Sequence, residues 1–321
     1  MRLAYDNIDG PVTGNASAAV QKAPLAAARL DALEAEAIYI LRDAAHYRRA
    51  ALMFSGGKDS AVLLHLALKA YAPAKPPFRL LHVDTGHNFP EVLEFRDRIA
   101  AQAGLELIVR SVEDSIARGS VRLADANASR NGAQAVTLLE AQQEFAFDAL
   151  LGGARRDEEK ARAKERIFSH RDSFGAWRPR AQRPELWGLY NRHIAAGENM
   201  RVFPLSNWTE ADVWAYIARE GVELPEIYYT HRRDVVRREG LLFPVTAITP
   251  PREGETVERL AVRFRTVGDI TCTCPVESFA TSAEEVLEET LTASVSERGA
   301  TRMDDRANAA AMERRKLEGY F

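Results

Sequence analysis

The stretch Ser55-Gly56-Gly57-Lys58-Asp59-Ser60 combines the residue types that a site for a charged ligand requires. Its two adjacent glycines allow the backbone to approach a ligand closely, and Lys58 adds a cation. An apolar run at 50–54 comes before it, and apolar residues recur at helical spacing from Ala61 to Leu68. The predicted order is therefore strand, glycine loop and helix. This order brings backbone N–H groups and the positive end of a helix to one point, which favours an anion.

The spacing of this loop differs from that of the common P-loop, in which the first glycine lies well before the Gly-Lys-Ser/Thr end. Here both glycines directly precede Lys58, and Asp59 and Ser60 follow. The hexapeptide resembles the pyrophosphate loop of the N-type ATP pyrophosphatases. That resemblance implies that the loop binds the pyrophosphate end of ATP while the α-phosphate is attacked. The alternative is a glycine turn with a surface lysine.

The composition is that of a soluble globular protein large enough for one large or two modest domains. The 321 residues are 46% hydrophobic and 28% charged, and the net charge of −3 argues against a surface that mainly binds nucleic acid. No apolar run approaches the ~20 residues of a membrane span, and the N-terminus lacks the basic region and apolar core of a signal peptide. We therefore expect a cytoplasmic protein with neither a membrane nor a nucleic-acid partner.

Cys272 and Cys274 are the two cysteines of the sequence. Two thiolates cannot complete a four-thiolate metal or cluster site alone, and residues two apart in an extended segment point to opposite faces. We expect two reduced cysteines on a strand or loop. A redox role or a shared metal is the alternative.

Strands alternate with helices along much of the chain at the spacing of βαβ units. The predicted strands are 50–54, 78–83, 105–109, 147–151 and 201–205. We therefore predict an α/β fold with a doubly wound, mainly parallel sheet and right-handed crossovers.

The chain divides into three predicted parts. Residues 1–24 show no period and are expected to form a mobile arm, and a helix follows from Leu25 to about Tyr47. The nucleotide-binding domain is expected at 25–220, with a long loop at 169–191. Residues 221–321 are expected to form a largely helical or irregular C-terminal extension.

Asp84 ends the second predicted strand. Ligands of open α/β sheets bind outside the carboxyl ends of the strands, so Asp84 is placed to meet the ribose, the phosphates or a metal. Alternatively, Asp84 only caps the helix that follows. The stretch Val83-Asp84-Thr85-Gly86 is also similar to that of the sulfate-activating branch of the N-type family.

A densely charged run at 155–171 follows Gly152-Gly153, at the end of the fourth predicted strand. It holds seven Lys or Arg against four Asp or Glu. Such a run is typical of a solvated helix with i, i+4 pairs such as that of Glu158 with Arg162.

The position of this run at the carboxyl end of a strand favours a second interpretation. An enzyme that joins an oxyanion to ATP must bring two negative species together, and the fork of a guanidinium group suits that task. We predict that Arg155 and Arg156 face the site and that the rest of the run is solvated.

A second signature lies between 204 and 217, where it reads Pro-Leu-x-x-Trp-Thr-x-x-Asp-Val-Trp-x-Tyr-Ile. Taken alone, it predicts a helix with Thr209 as N-cap and Asp212 in a capping box. The signature is similar to one shared by sulfate adenylyltransferase small subunits and phosphoadenylyl-sulfate reductases.

The late motifs discriminate between these two branches. Those that resemble the small subunits of two-component bacterial ATP sulfurylases lie at 183–187, 263–268, 276–278, 296–298 and 319–321. A reductase would have a C-terminal Glu-Cys-Gly-x-His segment, whereas no cysteine follows Cys274. The resemblance covers residues 25–321 and implies an adenine nucleotide alpha hydrolase-like fold.

The resemblance implies that ATP and sulfate react to give adenylyl sulfate and pyrophosphate, in sulfate assimilation. The residues implied in nucleotide binding are Phe54, Ser55, Gly56, Gly57, Lys58, Asp59, Ser60, Asp84, Gly152 and Gly153. Lys58, the loop amides and Mg²⁺ are expected to hold the leaving pyrophosphate, with Asp59 as the candidate metal residue. Arg155 and Arg156 are expected to hold sulfate or the α-phosphate, and adenine is expected to lie near Phe54 and Asp84.

The resemblance also implies a GTPase large subunit that drives the uphill formation of the sulfate–phosphate anhydride. Candidate docking surfaces are 263–268 and a helical tail at 309–317, both within the extension. Two other functions stay open: a thiol-dependent reductase of adenylyl sulfates, and a non-catalytic nucleotide-binding scaffold of the GTPase. Sulfite release with thioredoxin would establish the first. Tight ATP binding without ATP–pyrophosphate exchange would favour the second.

Overall fold

The computed structural model describes residues 15–123, 130–158 and 160–293. Its helices are α1 (Asn15–Ala44), α2 (Lys58–Tyr71), α3 (Pro90–Ala103), α4 (Val112–Ala117), α5 (Asn131–Glu144), α6 (Lys160–Ala163), α7 (Glu210–Glu220) and α8 (Ala283–Thr292). Its strands are β1 (Ala50–Met53), β2 (Arg79–Asp84), β3 (Leu107–Ser111), β4 (Ala149–Leu151), β5 (Phe168–Arg171), β6 (Asn199–Val202), β7 (His231–Arg238), β8 (Leu241–Pro244), β9 (Glu258–Arg263) and β10 (Val276–Glu277). Short 3₁₀ helices lie at Pro179–Ala181, Leu186–Gly188 and Glu226–Tyr228.

The larger sheet has six strands in the order β3-β2-β1-β4-β6-β5. Its neighbouring strands are parallel except for β5 and β6, which pair antiparallel at one edge. The predicted α/β fold with a mainly parallel sheet is thereby confirmed. The chain continues from β1 to β2 and β3 on one side and to β4 on the other. A crevice is therefore expected at the carboxyl ends of β1 and β4.

Both faces of this sheet are covered, which explains why its strands read as continuous apolar runs. Leu52, Leu80 and Leu151 lie at one level of β1, β2 and β4, and they belong to a buried cluster that includes residues of α1, α2 and α7. Leu150, which points to the opposite face, packs with Leu138 of α5 in a second cluster. Burial of each such side chain stabilises the fold by about 1.5–3 kcal/mol, so the core holds the ends of the strands in position.

The helix α7 begins with the predicted capping box. Thr209 is its N-cap, and its Oγ1 accepts from the N–H of Asp212 at 3.1 Å. In return, the Asp212 carboxylate accepts from the N–H of Thr209 at 2.8 Å. Arg29 of α1 also donates to both oxygens of Asp212, at 2.8 and 2.7 Å, and so joins the two helices on one face of the sheet.

Two segments before residue 221 have more regular structure than the sequence predicts. The first helix begins at Asn15, although 1–24 was expected to be an arm, and 1–14 lie outside the described residues. The expected loop at 169–191 contains most of β5 and two 3₁₀ helices. Within the described ranges, no helix is both long enough and apolar enough to cross a membrane.

The C-terminal extension contains a second, four-stranded antiparallel sheet in the order β10-β9-β7-β8. The sequence predicted largely helical or irregular structure there, because β7 reads His-Arg-Arg-Asp-Val-Val-Arg-Arg and lacks apolar alternation. Ion pairs between strands accompany this pattern: Arg237 pairs with Glu258 at 3.0 Å and with Glu277 at 2.7 Å. The predicted docking tail at 309–317 lies outside the described residues.

Candidate active site

A cavity of about 230 Å³ opens at the carboxyl ends of β1, β2 and β4. Its walls include Ser55, Asp59 and Ser60 of the glycine loop, the end of β2 at 81–83, Gly152-Gly153 after β4, and 266–269 of the C-terminal extension. It lies where the strand order reverses, which is the usual position of a ligand in a doubly wound sheet.

The glycine loop between β1 and α2 is held by its own hydroxyl groups. Ser60 Oγ donates to the carbonyl oxygen of Gly57 at 2.8 Å and lies 3.2 Å from Ser55 Oγ. Gly56 has a φ of +79°, and a Cβ there would lie 2.7 Å from Cγ1 of Val92 on α3. Gly56 therefore allows the loop to turn in close contact with α3.

Lys58 is the first residue of α2, and it is fully buried. Its backbone N–H donates to Oη of Tyr228 at 2.9 Å, and its Nζ donates to Oδ2 of Asp59 at 3.0 Å. The predicted order of strand, glycine loop and helix is confirmed. Lys58, Gly56 and Gly57 are not among the residues that line the cavity, whereas Asp59, the partner of Lys58, is. The ammonium group adds its charge to the positive N-terminus of α2.

Asp59 connects the loops that follow β1 and β4. Its carboxylate is bound by Lys58 and by the guanidinium of Arg155. A Cβ at Gly153 would lie 3.0 Å from the backbone carbonyl carbon of Asp59, so a side chain there would separate the two loops. Gly152 and Gly153 both line the cavity, next to Asp59.

The oxygen donors of the cavity suit a magnesium ion in the company of a nucleotide. Mg²⁺ typically binds one or two carboxylates and completes its shell with water and substrate phosphates. Asp59, the predicted metal residue, lines the cavity together with the carboxyl groups of Glu158 and Asp269. The carboxylate of Asp59, which belongs to the glycine loop, is of the type that Mg²⁺ binds, and the described residues contain no group of three or more His, Cys, Asp or Glu that could hold a metal ion by themselves.

Arg155 and Arg156, which are predicted to face the site, are not among the residues that line the cavity. The guanidinium of Arg155 is fully buried and pairs with Asp59 and, at 3.1 Å, with Asp157. Arg156 donates to the side-chain oxygen of Asn207 and, at 3.4 Å, to the carbonyl oxygen of Glu165. Through Asp59 and Asn207, which lie 96 and 51 positions away, the two arginines join segments that are distant in the sequence.

Arg162 is the arginine of the charged run that lines the cavity, among residues whose side chains the structure describes. It is 8% exposed, although the sequence grouped it with the solvated residues. The predicted pair with Glu158 is present, with 3.5 Å between Nε and Oε2. An i, i+4 pair has the same sequence pattern on a solvated face and on a cavity wall, so the pattern could not identify Arg162.

Phe54 and Asp84, which were expected near the adenine, also lie outside the cavity wall. Phe54 is fully buried and packs on Phe95 of α3, with 6.4 Å between the ring centroids. The Asp84 carboxylate accepts from the N–H of Gly86 at 2.7 Å and so holds the turn after β2. Residues 81–83 line the cavity in their place, at the same strand end that the sequence indicated.

His82 is a buried neutral histidine at the cavity wall. Its Nδ1 lies 2.9 Å from the carbonyl oxygen of Phe54, which can only accept, so Nδ1 holds the proton. Burial, together with nearby Arg96, lowers the pKa of His82 to about 4. Its Nε2 is therefore an acceptor, and this buried nitrogen has no hydrogen-bond partner within the described part of the chain. Sequence reasoning missed His82 because a lone histidine on an apolar strand resembles a core residue.

The first three residues of the motif 263–268, a predicted docking surface, are buried. Arg263 pairs with Glu289 at 2.8 Å, and Arg265 pairs with Glu210 at 2.7 Å, with both arginines buried. Thr266 to Gly268 line the cavity. Gly268, at the end of the motif, could have indicated this position at the cavity from the sequence, since glycine often marks a close approach of backbone and ligand.

Two solved structures have low sequence identity to the chain. The FMN adenylyltransferase of Candida glabrata, in complex with FMN and the ATP analogue AMPCPP, is 15% identical over 91% of this chain and 89% of that one, with a TM-score of 0.48. The phosphoadenylyl-sulfate reductase of Candida auris is 20% identical over 62% of this chain and 88% of that one, with a TM-score of 0.41.

Residues 49–275 match the family model described as the phosphoadenosine phosphosulfate reductase domain. A protein of Mycobacterium sp. (strain KMS) named sulfate adenylyltransferase subunit 2 is 58% identical over 290 residues, which are 90% of this chain and 93% of that protein. A protein of the same name from Streptomyces lavendulae is 57% identical over 299 residues, 93% of each chain. Within the larger domain family, the chain therefore belongs to the family of sulfate adenylyltransferase subunit 2.

Proposed function

We propose that this chain transfers the adenylyl group of ATP to sulfate and releases pyrophosphate, as the catalytic small subunit of a sulfate adenylyltransferase. Family membership supports the reaction. The observation that supports the site is the buried Lys58 at the N-terminus of α2, beside a cavity at the point where the strand order reverses. This combination suits the phosphates of a nucleotide.

In the proposed reaction, a sulfate oxygen attacks the α-phosphorus of ATP. The bond from that phosphorus to the bridging oxygen breaks, and pyrophosphate leaves with the electron pair. Sulfate needs no deprotonation, so the chain's task is to position two anions and to neutralise their charge. Lys58 and the glycine loop supply that charge stabilisation to the leaving pyrophosphate, and Gly153 lets the loop after β4 lie against Asp59.

Mg²⁺, held by Asp59 and by phosphate oxygens, would neutralise charge on the phosphates when it is bound. The pair of Lys58 and Asp59 keeps the ammonium at the loop, and Arg155 holds the other side of the Asp59 carboxylate. These contacts restrict the rotamers of Asp59, so its carboxylate is already oriented when the nucleotide arrives.

The name "subunit 2" of the relatives implies a large partner subunit. We propose that this partner is a GTPase, because formation of a sulfate–phosphate anhydride is strongly uphill and needs a second source of free energy. We also propose that the two subunits act in the cytoplasm, with docking on the extension at 221–321. Burial of Arg263, Phe264 and Arg265 favours other parts of the extension for that surface.

The decisive experiment replaces Lys58 with Ala and measures pyrophosphate release with the partner, ATP, GTP and sulfate. We expect a loss of about 2–4 kcal/mol of transition-state stabilisation, as for a lost oxyanion donor. Lys75→Ala is the matched control, because Lys75 is an exposed lysine that donates to the carbonyl oxygen of Gly104. Full activity of Lys58→Ala would contradict the site. A wild-type complex that forms no adenylyl sulfate would contradict the function.

The reductase alternative gains no support from the cysteines. Cys272 and Cys274 are both buried, at 4% and 1% exposure, and the Cys272 thiol lies 3.5 Å from the carbonyl oxygen of Asp269. A thiol that exchanges with thioredoxin must be reached by a second protein. Sulfite release by the purified chain with thioredoxin would nevertheless contradict the transferase assignment.

A further inference from the structure

Arg162 of α6 is a buried cation on the wall of the cavity that the proposed function assigns to ATP. It lines this cavity together with Asp59 and Gly153, although it follows β4 and not the glycine loop. A guanidinium is charged at any physiological pH, and burial of a charge costs free energy unless a partner compensates it. The partners of Arg162 therefore indicate whether its role is structural.

The contact of Arg162 with Glu158 is too long for a hydrogen bond. Its Nε lies 3.5 Å from Oε2 of Glu158, and this Nε has no hydrogen-bond partner. The other oxygen of Glu158 accepts from the backbone N–H of Arg155 at 3.0 Å and lies 3.8 Å from the Arg155 guanidinium. Glu158 is therefore shared between two arginines.

The first carboxylate after Arg162 in the sequence is that of Glu165, and it is bound by other residues. Glu165 Oε1 accepts from Arg171 at 2.5 Å and from Ser169 Oγ at 2.8 Å. These three buried residues follow α6 in the sequence. Asp59 is likewise bound by Lys58 and by Arg155. Among the residues that the structure describes, the buried Arg162 guanidinium thus has one partner, a carboxylate 3.5 Å away that it shares with Arg155, and this is the electrostatic setting of an anion subsite.

The chemistry of the proposed reaction decides which anion this subsite receives. In an in-line displacement, the attacking and the leaving oxygens lie on opposite sides of the phosphorus. The glycine loop and Lys58 already account for the leaving pyrophosphate, so the attacking oxyanion needs a different cation. Arg162 lies on α6, which follows β4, whereas the glycine loop follows β1.

We propose that Arg162 binds the sulfate dianion and positions it for attack on the α-phosphorus. This inference rests on the proposed function and assigns the sulfate subsite within the same cavity. Two N–H groups of one guanidinium can donate to two oxygens of a tetrahedral oxyanion, which fixes its orientation as well as its charge. The Glu158 contact keeps the guanidinium in place without neutralising it fully.

The kinetic test compares Arg162→Met and Arg162→Lys with the wild type in the complete complex with the partner, ATP and GTP. We expect the KM for sulfate to rise about 10- to 100-fold in Arg162→Met, since a charged hydrogen-bond partner is lost. Arg162→Lys keeps the charge and loses the planar guanidinium, so its KM for sulfate should lie between those of the wild type and Arg162→Met. The KM for ATP should change less than about twofold. An equal rise of both KM values, or no change for sulfate, would overturn the proposal.

A binding measurement separates this proposal from the proposed function. Sulfate is titrated calorimetrically into the chain preloaded with AMPCPP, which cannot complete the reaction. We expect binding to the wild type, weaker binding to Arg162→Lys and none to Arg162→Met. Arg178→Gln, a change of an exposed arginine that pairs with Asp172 at 3.3 Å, should bind sulfate as the wild type does. Equal binding by Arg162→Met would overturn the subsite even if the complex forms adenylyl sulfate.

The thermal unfolding midpoint and AMPCPP affinity of each variant are measured in parallel. Loss of sulfate binding with unchanged AMPCPP affinity supports the subsite. Loss of both ligands in Arg162→Met and also in Arg162→Lys overturns it, because Arg162 would then be a structural residue. A wild-type chain that binds sulfate but never yields adenylyl sulfate with the partner would refute the proposed reaction and leave the assignment of the anion subsite standing.

Discussion

At the scale of single residues, the loop depends on glycine at a position where both the backbone and its surroundings exclude a side chain. Gly56 has a positive φ, and a Cβ would lie 2.7 Å from Val92. We expect Gly56→Ala to lower the free energy of unfolding by about 2–4 kcal/mol, the sum of left-handed strain and overpacking. Urea unfolding measures the loss, and ATP affinity should fall with it because α3 and the loop must move apart.

Gly240→Ala is the matched control for this prediction. Gly240 has a φ of +77°, but no atom lies within 4 Å of the position of its Cβ. Its replacement should cost only the conformational term, about 1–2 kcal/mol, and leave ATP affinity unchanged. Equal losses in the two variants would show that contact with Val92 has no part in shaping the loop.

His82 gives a prediction on pH. Its pKa is about 4 in the folded chain, against about 6.5 for an unperturbed histidine. Between these values the unfolded state binds more protons, so the free energy of unfolding falls as the pH decreases. The contribution lost between pH 7 and pH 5 is about 2 kcal/mol.

The variant His82→Asn tests this contribution, because an amide can still donate to the carbonyl oxygen of Phe54 but does not titrate. Urea unfolding at pH 7 and pH 5 should show a smaller pH dependence in the variant than in the wild type. A pH dependence that is the same in both would show that protonation of His82 does not limit stability in acid.

The chemistry of the glycine loop could be predicted from the sequence because its residues are consecutive, so their types and order already define the turn. The roles of the arginines could not be predicted. Arg155 is occupied by Asp59, which precedes it by 96 positions, and no local pattern reports such a contact. Arg162 was assigned to solvent because its pair with Glu158 has the spacing of a surface helix.

At the scale of elements, a 3₁₀ helix of the extension supports the start of α2. Tyr228, the last residue of this 3₁₀ helix, accepts from the N–H of Lys58 through its Oη at 2.9 Å. We expect Tyr228→Phe to leave a buried N–H unsatisfied and to lower the free energy of unfolding by about 1–3 kcal/mol. Urea unfolding gives this value, and the KM for ATP should rise because Lys58 is less well held.

Tyr229→Phe provides the comparison, since Tyr229 is the next residue and its ring packs on Trp214 with 6.3 Å between centroids. Removal of its hydroxyl should leave the KM for ATP unchanged. A similar change of this KM in both variants would exclude a specific role for the contact between Tyr228 and Lys58.

The strands of the larger sheet could be predicted because burial on both faces makes them continuous apolar runs between turn residues. The edge strand β5 and the small sheet of the extension could not. Charged side chains dominate β7, where Arg237 pairs with Glu258 and Glu277 on neighbouring strands. Pairing across strands is invisible to a search for apolar alternation, so such strands resemble loops.

At the scale of the whole molecule, the extension completes the cavity of the nucleotide-binding part. Thr266 to Gly268 line it, Tyr228 holds the glycine loop, and Arg265 pairs with Glu210 at the start of α7. A boundary at residue 220 therefore separates two parts of the sequence that build one site. The site depends on contacts that cross this predicted boundary.

The pair of Arg265 and Glu210 is the ion pair through which this coupling can be measured. Both side chains are buried, and Nη2 of Arg265 lies 2.7 Å from Oε2 of Glu210. The N–H of Glu210 also donates to Asp157, which pairs with Arg155 beside Asp59. Loss of Arg265 should therefore affect the extension, α7 and the loop after β4 together.

We predict that Arg265→Met lowers the free energy of unfolding by about 3–5 kcal/mol, because it leaves the carboxylate of Glu210 buried without its partner. The double variant Arg265→Met, Glu210→Gln removes both charges and should recover most of the loss. Arg259→Met breaks an exposed pair with Asp234 and should cost less than about 1 kcal/mol. Urea unfolding of the wild type, Arg265→Met, Glu210→Gln and the double variant gives the coupling energy, and the KM for ATP shows whether it reaches the cavity. Additive losses in the double variant would mean that the extension and α7 are stabilised independently, and that the site tolerates their separation.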